Sequence, residues 1–388
     1  MLFARQGFGA VTGSTAKRSN IAWLESLSPW PEEFGVGTMQ RLLAALGEPQ
    51  RKFPAIHVVG TNGKTTTTRL AEALLAGEGL AVGAYTSPHV LGWGERIRVR
   101  GTEADLEPAL GRVRAAAEEL GATQFEVLTA AAFAEFAAAG IDAAVVEAGL
   151  GGRHDATNVL GARVVVLTNV GLEHTDVLGE TRQEIAAEKL AVLTPGATAI
   201  LGEPEWEEAA RAAGAESVVF AGSTNLALAL AAVETFLGRP VDPSPAEELE
   251  VPGRVERVAE RPLEIWDGAH NLSGVGWLLA RLPTRRYVVV ASILEDKDAD
   301  GMLAALSALG DIFVATSSTH PRALPADELA RRARRFFVYA EAVPDPAAAL
   351  AFARERADDD GALLVTGSLY LLADLAPLRP ATALPWRQ

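Results

Sequence analysis

The 388-residue chain contains no cysteine. Disulfide bonds, thiolate metal sites and a cysteine nucleophile are therefore all excluded. Positive charge is also scarce, because 35 lysines and arginines stand against 50 acidic residues and give a net charge of −15. This excess of negative charge argues against nucleic acid or an anionic membrane surface as a partner. Anionic small molecules remain open, since they need only local positive potential.

Long apolar segments are lacking as well. The segment that comes nearest to a membrane-spanning length, residues 130–149, is interrupted by Glu135, Asp142 and Glu147. The first twenty residues are basic but have no apolar core of the kind found in secretory signals. We therefore expect a cytoplasmic protein without a membrane partner. The hydrophobic content of 49% fits an ordinary globular enzyme.

Strand and helix patterns alternate through the first 245 residues. Residues 20–50 have apolar residues at helical spacing. Short buried-strand patterns occur at 55–59, 143–146, 164–167, 198–201 and 217–220. Helical patterns occur at 67–76, 129–139, 183–193 and 206–213. This alternation predicts an α/β fold with a mostly parallel sheet and helices on both of its faces.

A proline-rich acidic stretch, residues 238–253, separates this part of the chain from a second α/β unit. Further strand patterns follow at 263–266, 287–291, 312–316, 336–338 and 363–366. We predict an N-terminal domain over residues 1–245, a linker over 246–253 and a smaller Rossmann-like C-terminal domain over 254–388.

The glycine-rich loop after the first predicted strand reads Gly60-Thr61-Asn62-Gly63-Lys64-Thr65-Thr66. Backbone N–H groups of such a loop, together with the start of the following helix, form a cradle for phosphate. Lys64 supplies a cation for the β- and γ-phosphates, and the hydroxyl of Thr65 or Thr66 can reach phosphate or Mg²⁺. The loop is a short variant, because Val58 occupies the position of the first glycine in the full pattern. A tight turn that binds nothing is the alternative, but the order of strand, loop and helix favours an ATP-binding P-loop domain.

Two further candidates follow predicted strands. Glu147 ends a buried strand, where open α/β sheets place ligand groups, and the glycines at 149, 151 and 152 leave backbone room beside it. His174 also follows a strand and is either a metal ligand or a structural histidine. The Gly149-x-Gly151 pair could suggest a dinucleotide site, but no helix pattern follows it directly.

The chain resembles the Mur ligase superfamily and, within it, the folylpolyglutamate synthase/dihydrofolate synthase family. Beyond the glycine-rich loop, the resemblance rests on segments that occur in order at 86–89, 95–97, 123–126, 147–158, 168–175, 188–189, 252–256, 267–271, 296–298 and 367–370. One such segment would be weak evidence, but this many in order is specific. The sequence departs from the folate enzymes at two places. Thr65-Thr66 is the residue pair typical of Mur ligases, and Leu272 stands where proline is common.

The resemblance implies an ATP-dependent ligase that adds L-glutamate to a folate through an acyl phosphate. It leaves open whether dihydropteroate is also a substrate. It implies four catalytic residues: Lys64, Glu147, His174 and Lys189. In the second domain, it implies ATP contacts at Arg254, Asp267, His270 and Asn271.

The resemblance also implies two Mg²⁺ sites. Ser87 and Glu147 would hold one ion, and His174 and Lys189 the other. A free ammonium repels a cation, so the resemblance further implies that CO₂ carbamylates Lys189 into an anionic ligand. Taken alone, Lys189 would be interpreted as a solvated helix lysine paired with Glu184 or Glu188.

For the organic substrates, the resemblance implies a folate pocket and a glutamate site. The folate pocket would contain Thr123, Phe125, Asp155 and Ala156. Phe125 could stack on a flat heteroaromatic ring, although core packing is its other interpretation. His270 and Ser368 are the implied glutamate contacts.

Three other classes of protein share parts of this pattern. A Mur-type amino-acid ligase of cell-wall precursor synthesis would carry a nucleotide-sugar domain before the loop, and we expect the 59 residues before Gly60 to be too few for it. A non-catalytic ATP-binding module would be expected to lack Lys64, Glu147 or His174. An ATPase motor would have an aspartate where Glu147 stands. We expect a monomer that acts on ATP, L-glutamate and a folate.

Overall fold

The structure is a computed structural model, and we describe residues 19–29, 31, 34–247, 249–357 and 361–379. The basic N-terminal segment up to residue 18, and the outer limits of both predicted domains, lie outside these residues. In the part described, no helix is both long and apolar enough to cross a bilayer.

The N-terminal part contains one large sheet and its helices. Its elements are α1 (Asn20–Glu25), α2 (Gly37–Ala45), β1 (Ala55–Val59), α3 (Lys64–Gly77), β2 (Val82–Tyr85), β3 (Ile97–Val99), β4 (Thr102–Glu103), α4 (Leu106–Leu120), α5 (Gln124–Ala139), β5 (Ala143–Glu147), β6 (Val164–Leu167), α6 (Thr175–Leu178), α7 (Arg182–Leu190), β7 (Thr198–Leu201), α8 (Glu207–Ala212), β8 (Ser217–Phe220), α9 (Asn225–Leu237) and α10 (Ser244–Glu247).

The C-terminal part contains a second sheet. Its elements are β9 (Glu256–Glu260), β10 (Leu263–Trp266), α11 (Leu272–Leu279), β11 (Tyr287–Ala291), α12 (Ala299–Leu306), β12 (Ile312–Ala315), α13 (Ala326–Ala333), β13 (Tyr339–Ala342), α14 (Pro346–Arg354), β14 (Ala362–Thr366) and α15 (Leu369–Leu375).

The first sheet has eight strands in the order β4-β3-β2-β5-β1-β6-β7-β8. It is parallel except for β3 and β4, which run antiparallel at one edge. β1 is central and pairs with β5 and β6, so the segments after these three strands emerge at one edge of the sheet. Ligand sites of open α/β sheets lie at this edge. The predicted mostly parallel sheet is therefore confirmed.

The second sheet has six strands in the order β13-β12-β11-β14-β10-β9 and is parallel except for β9. The predicted strand at 336–338 is wrong. Phe337 is buried against Phe313, with ring centroids 4.9 Å apart, but it lies in the turn after α13, and Val338 is 87% exposed. The strand at this edge is β13, which an apolar pattern does not detect because its residues are mostly small or polar.

The sequence patterns did not predict strands β2, β3, β4 and β9 or helices α4 and α9, and β8, predicted as a buried strand, is mostly exposed at the edge of its sheet. Other differences lie at helix ends. The pattern predicted that one helix starts at residue 129, but α5 starts at Gln124, because Thr123 and Glu126 form a capping box there. The predicted linker begins within α10, where Ala246 is buried in the core around β1 and α3. The limits of the two domains stay predictions.

Candidate active site

The glycine-rich loop has a backbone that only glycine accommodates at two positions. Gly60 and Gly63 have φ values of 147° and 82°. A Cβ atom on Gly60 would lie 1.8 Å from Thr168 Oγ1, and one on Gly63 would lie 2.4 Å from Asn225 Oδ1. The loop therefore packs closely against Thr168, which follows β6, and Asn225, which begins α9, and only glycine leaves room for this approach.

The loop is held by neighbouring polar groups. Asn62 N–H donates to Asn169 Oδ1 at 3.0 Å, and Thr168 Oγ1 donates to the Asn62 carbonyl at 2.7 Å. Lys64 opens α3, and its Nζ donates to the carbonyls of Gly60 and Thr61, both at 3.1 Å. The ammonium thus lies over the loop where phosphates are expected.

Glu147 lies at the end of β5 beside this loop and is 1% exposed. Its Oε1 accepts from Thr65 Oγ1 at 3.0 Å, and its Oε2 accepts from Ser87 N–H at 3.0 Å. Burial raises the pKa of Glu147 to about 7, while Lys64 and the two hydrogen bonds oppose the rise. The structure therefore brings Ser87 and Glu147 together, as predicted.

This raised pKa gives a stability prediction for Glu147→Gln. The ordinary pKa is 4.5 and the folded-state value is about 7, so the folded protein binds this proton more tightly than the unfolded chain. Ionised Glu147 therefore destabilises the fold by about 3 kcal/mol, fully at pH values well above 7 and not at all well below pH 4.5. In metal-free buffer, the free energy of unfolding of Glu147→Gln should increase relative to that of wild type as the pH rises from 4.5 to 7. An equal difference between the two proteins at pH 5 and pH 8 would contradict this.

Lys189 is near the end of α7 and is 4% exposed. Its Nζ donates to the Gly60 carbonyl at 3.0 Å. Burial and the nearby Lys64 charge lower the pKa of Lys189 to about 7, against the influence of Glu173, Asp155 and Glu188. The interpretation of Lys189 as a solvated surface lysine is wrong. Its assumed partners are engaged elsewhere, because Glu188 pairs with Arg153 and Glu184 caps its own helix.

Gly152 makes the position of Lys189 possible. A Cβ atom there would lie 2.5 Å from the Lys189 carbonyl oxygen and 2.6 Å from that of Glu188. We expect Gly152→Ala to displace the end of α7 and to cost about 1–3 kcal/mol of stability. Activity should fall with it, because Lys189 moves. Gly276→Ala is the control for an added methyl group, since nothing lies within 4 Å of a Cβ there and its backbone, like that of Gly152, is not left-handed. Denaturant unfolding and turnover of both variants test this, and an unaffected Gly152→Ala would contradict it.

His174 follows β6 and caps the short helix α6 with a left-handed backbone, at φ 53°. Such a conformation is uncommon for a residue with a side chain and often marks functional sites. Burial lowers the pKa of His174. The ring is therefore mainly neutral at pH 7, the form in which histidine binds metals.

Glu173 connects the two halves of the molecule, and sequence reasoning did not select it. Its Oε1 lies 2.9 Å from Lys297 Nζ and 3.3 Å from His270 Nε2, both in the C-terminal part. Burial raises the pKa of Glu173, but His270 and Lys297 outweigh it and hold the pKa well below its usual range. The only sequence signal was that Glu173 and Lys297 each lie in a segment that carries the family resemblance.

The C-terminal candidates gather at the same place. Asp267 accepts the N–H groups of Val255 and Ala269, both at 2.8 Å, and burial raises its pKa. His270 Nδ1 lies 2.8 Å from the Gly268 carbonyl. Asn271 caps α11, and its side-chain amide donates to Asn62 Oδ1 at 3.1 Å. The second half of the molecule thus contacts the phosphate loop directly.

Several predicted binding side chains also hold local structure. The Thr123 hydroxyl donates to Glu126 Oε2 at 2.8 Å in the capping box, and Ser368 caps α15. Asp155 is buried and accepts the N–H groups of Leu150 and Thr157, at 2.8 and 3.0 Å. Phe125 packs against the backbone at Gly149, where a Cβ atom would lie 2.6 Å from its ring.

A cleft of 770 Å³ brings the predicted residues together. Every predicted site residue lines it except Asn271, which lies behind the loop and holds Asn62. Residues that were not assigned a role also line it, among them Arg96, Glu173, Lys297 and Arg322.

The residues around Glu147 fit a magnesium ion. In the part of the chain described, no group of three or more acidic, histidine or cysteine side chains could hold a metal on its own. Mg²⁺, however, usually takes one or two carboxylates and completes its shell with substrate phosphates and water. Glu147 offers a buried carboxylate next to the phosphate loop, and burial raises its pKa, so a bound cation would stabilise its charged form.

Comparisons with known proteins agree with this geometry. The family model of the Mur ligase middle domain matches residues 58–237, and that of the Mur ligase glutamate ligase domain matches residues 253–369. A dihydrofolate synthase/folylpolyglutamate synthase of Mycobacterium tuberculosis is 34% identical over 414 residues, which cover 85% of each chain.

Solved structures agree in the same way. Folylpolyglutamate synthase of Mycobacterium tuberculosis complexed with ADP has a TM-score of 0.85 and 31% identity, and the match covers 92% of this chain and 97% of that one. A bifunctional folylpolyglutamate synthase/dihydrofolate synthase of Yersinia pestis with Mn, AMPPNP and L-glutamate bound has a TM-score of 0.84 and 30% identity, over 93% and 98% of the chains.

A P-loop sheet and a glutamate-ligase sheet that meet at one cleft define the class of Mur-type ligases. Within this class, the chain belongs to the folylpolyglutamate synthase/dihydrofolate synthase family.

Proposed function

We propose that this protein is an ATP-dependent ligase that adds L-glutamate to a folate. The observation that carries the proposal is the cleft, where the phosphate loop, Glu147 and Lys189 of one half face His270 and Lys297 of the other. Relatives with the same two-part fold are named folylpolyglutamate and dihydrofolate synthases. These names favour folate over the cell-wall precursor of the Mur-type alternative.

The reaction proceeds by acyl activation. An oxygen of the folate γ-carboxylate attacks the γ-phosphorus of ATP, and ADP leaves. The amine of L-glutamate then attacks the acyl carbon, the amine loses a proton, and phosphate leaves. No serine, cysteine or histidine nucleophile is needed, so the protein contributes positioning and charge neutralisation.

The ATP site uses residues from both halves. Residues 60–66 cradle the phosphates, and Lys64 places its ammonium over them. Ser87, Thr65 and Glu147 would hold Mg²⁺, which neutralises phosphate charge when it is bound. Arg254, Asp267, His270 and Asn271 complete the nucleotide site from the C-terminal half. The planar guanidinium of Arg254 suits phosphate.

Lys189 and His174 would hold the second Mg²⁺, with Lys189 carbamylated. Carbamylation requires a neutral amine, and a pKa lowered to about 7 leaves about half of this amine neutral at pH 7. In the reaction, the amine nitrogen bonds to the carbon of CO₂ and releases a proton, which leaves an anionic carbamate. The buried position of Lys189 beside the loop supports this assignment.

Folate and glutamate occupy the rest of the cleft. Thr123, Phe125, Asp155 and Ala156 form the folate pocket, with Phe125 as the stacking surface. His270 and Ser368 contact the incoming glutamate. Dihydropteroate is a second candidate acceptor, since several relatives carry both activities in their names. The monomeric state and the cytoplasmic location stay predictions.

An ATP turnover assay tests the proposal. ADP release should require both L-glutamate and a pteridine acceptor, and mass spectrometry should find the acceptor heavier by one glutamate. Dihydropteroate and tetrahydrofolate are offered separately, which distinguishes one activity from two. ATP turnover without either organic substrate, or turnover with a UDP-linked precursor alone, would refute the proposal.

A further inference from the structure

His57 lies in the middle of β1, the central strand of the first sheet, and is 1% exposed. Side chains alternate along a strand, so His57 shares a face with Ala55 and Val59, both members of the apolar core on that side. Burial lowers the pKa of His57 to about 3, so the ring is neutral at physiological pH. A polar ring in such a place costs free energy unless it is hydrogen-bonded, and its partner therefore indicates its role.

That partner is a buried hydroxyl. His57 Nε2 lies 2.8 Å from Thr157 Oγ1, and the same hydroxyl bonds to Asp155 Oδ1. Burial raises the pKa of Asp155, but its carboxylate accepts this hydroxyl and two backbone N–H groups, which favours the ionised form. A hydroxyl has one proton to donate, and an ionised carboxylate can only accept. Thr157 therefore donates to Asp155 and accepts from His57, which assigns the proton of the neutral ring to Nε2. A chain of three buried groups runs from β1 to Asp155.

Asp155 lies at the far end of this hydrogen-bond chain, where it holds the segment 149–157, which forms one wall of the cleft. Its carboxylate also accepts the backbone N–H groups of Leu150 and Thr157, and so closes the segment 149–157 on itself. The ring of Phe125 packs on the first residue of this segment, Gly149. His57 does not line the cleft, yet it is connected to the wall on which the folate pocket is built.

We propose that His57 is a positioning residue for the folate site. Its N–H orients the Thr157 hydroxyl, and this hydroxyl fixes Asp155 and the segment 149–157. The inference rests on the proposed function, which places folate against this wall. Glu147, beside the phosphate loop, is held separately by Thr65 and Ser87. Gly152 of the segment 149–157 packs against the end of α7, which carries Lys189, so kcat should fall as well when the segment loosens. Loss of the hydrogen-bond chain should therefore weaken folate binding and lower kcat, and should leave ATP binding unchanged.

Paired variants test this chain. His57→Leu and Thr157→Val remove a hydrogen-bonding group with little change in volume. His57→Gln and Thr157→Ser keep an N–H donor and a hydroxyl, respectively. Val59→Ala is the packing control, since it creates a cavity on the same face of β1 without touching a polar group. For each protein, the KM values for tetrahydrofolate and ATP, kcat, and amide hydrogen exchange of peptides covering 149–158 are measured.

We expect His57→Leu and Thr157→Val each to raise the KM for tetrahydrofolate about tenfold, as for one buried hydrogen bond to a charged group. Exchange in 149–158 should quicken, and the KM for ATP should stay within about twofold. The double variant should be no worse than either single one, because both break one chain. His57→Gln and Thr157→Ser should restore most of the loss.

Three outcomes overturn the inference. The first is that His57→Leu and Thr157→Val both keep the wild-type KM for tetrahydrofolate. The second is that Val59→Ala raises this KM as much as they do. The third is that His57→Gln and Thr157→Ser fail to restore it. Should His57→Leu fail to fold, Thr157→Val and Thr157→Ser make the same comparison. If the wild-type enzyme shows no folate-dependent turnover, the proposed function is refuted instead. Hydrogen exchange of residues 149–158 then still tests whether the hydrogen-bond chain from His57 holds this segment.

Discussion

Replacing Lys64 with alanine is expected to abolish ligation and leave the fold intact. The side chain emerges from the first residue of α3 and bends back over the loop, with its ammonium 3.1 Å from two loop carbonyls. It supplies the loop with its side-chain cation, and charge stabilisation of this kind is worth at least about 10²–10³-fold in rate. The loop keeps its shape without Lys64, because Asn169 and Thr168 hold Asn62.

Steady-state turnover at saturating ATP measures the loss, and thermal unfolding checks the fold. Lys64→Arg should also be poor, since a planar guanidinium on a longer stem cannot follow the same path over the loop. Lys52→Ala is the control, because Lys52 is an exposed lysine of the same half. Retention of more than about a tenth of wild-type turnover by Lys64→Ala would refute the role of Lys64 as the phosphate cation.

The second large effect is expected at Lys189. If its carbamate is a metal ligand, Lys189→Ala should lose at least about a hundredfold in turnover and regain part of it with added acetate or formate. A short carboxylate can fill the space that the side chain leaves and supply the missing oxygen ligand. Lys189→Arg should stay inactive with or without these anions, because arginine keeps its charge and cannot react with CO₂.

Two measurements distinguish rescue from a general effect of salt. Acetate should not restore Lys64→Ala, whose defect is a missing cation, and chloride at equal ionic strength should not restore Lys189→Ala. Mass spectrometry that preserves CO₂ adducts should find one carbamate on wild type and none on Lys189→Arg. An active arginine variant, or an alanine variant that no carboxylate restores, would show that Lys189 acts as an ordinary amine.

Sequence patterns predicted five of the eight strands of the first sheet, because those five are short apolar runs bounded by glycine and polar residues. They failed at β13, where an edge strand of small and polar residues follows an apolar turn that contains Phe337. Such patterns detect runs of apolar residues rather than burial: β8 was predicted although it is mostly exposed, and β2 was missed although it is buried, because Gly83 interrupts its apolar run. An edge strand has one unpaired side and needs less apolar surface.

The candidate site was predictable where one residue carries the chemistry, as with Lys64 and Glu147. It was not predictable where two distant residues share a contact. Glu173 and Lys297 are 124 positions apart, and only the packing of two sheets brings them within 2.9 Å. Sequence patterns also could not show that the side chains of Thr123 and Ser368 form helix caps. Helix caps and ligand contacts use the same residue types.

The ion pair between Glu173 and Lys297 also governs how the two halves can separate. Both side chains are about a tenth exposed, so an opening that parts them takes Lys297 and His270 away from a carboxylate that water reaches poorly. Opening the cleft by a small amount therefore costs free energy, and this contact favours the arrangement in which the two halves meet. In the proposed reaction, an acyl phosphate formed between the two halves would stay enclosed until the amine of glutamate attacks it, which would limit its hydrolysis by water.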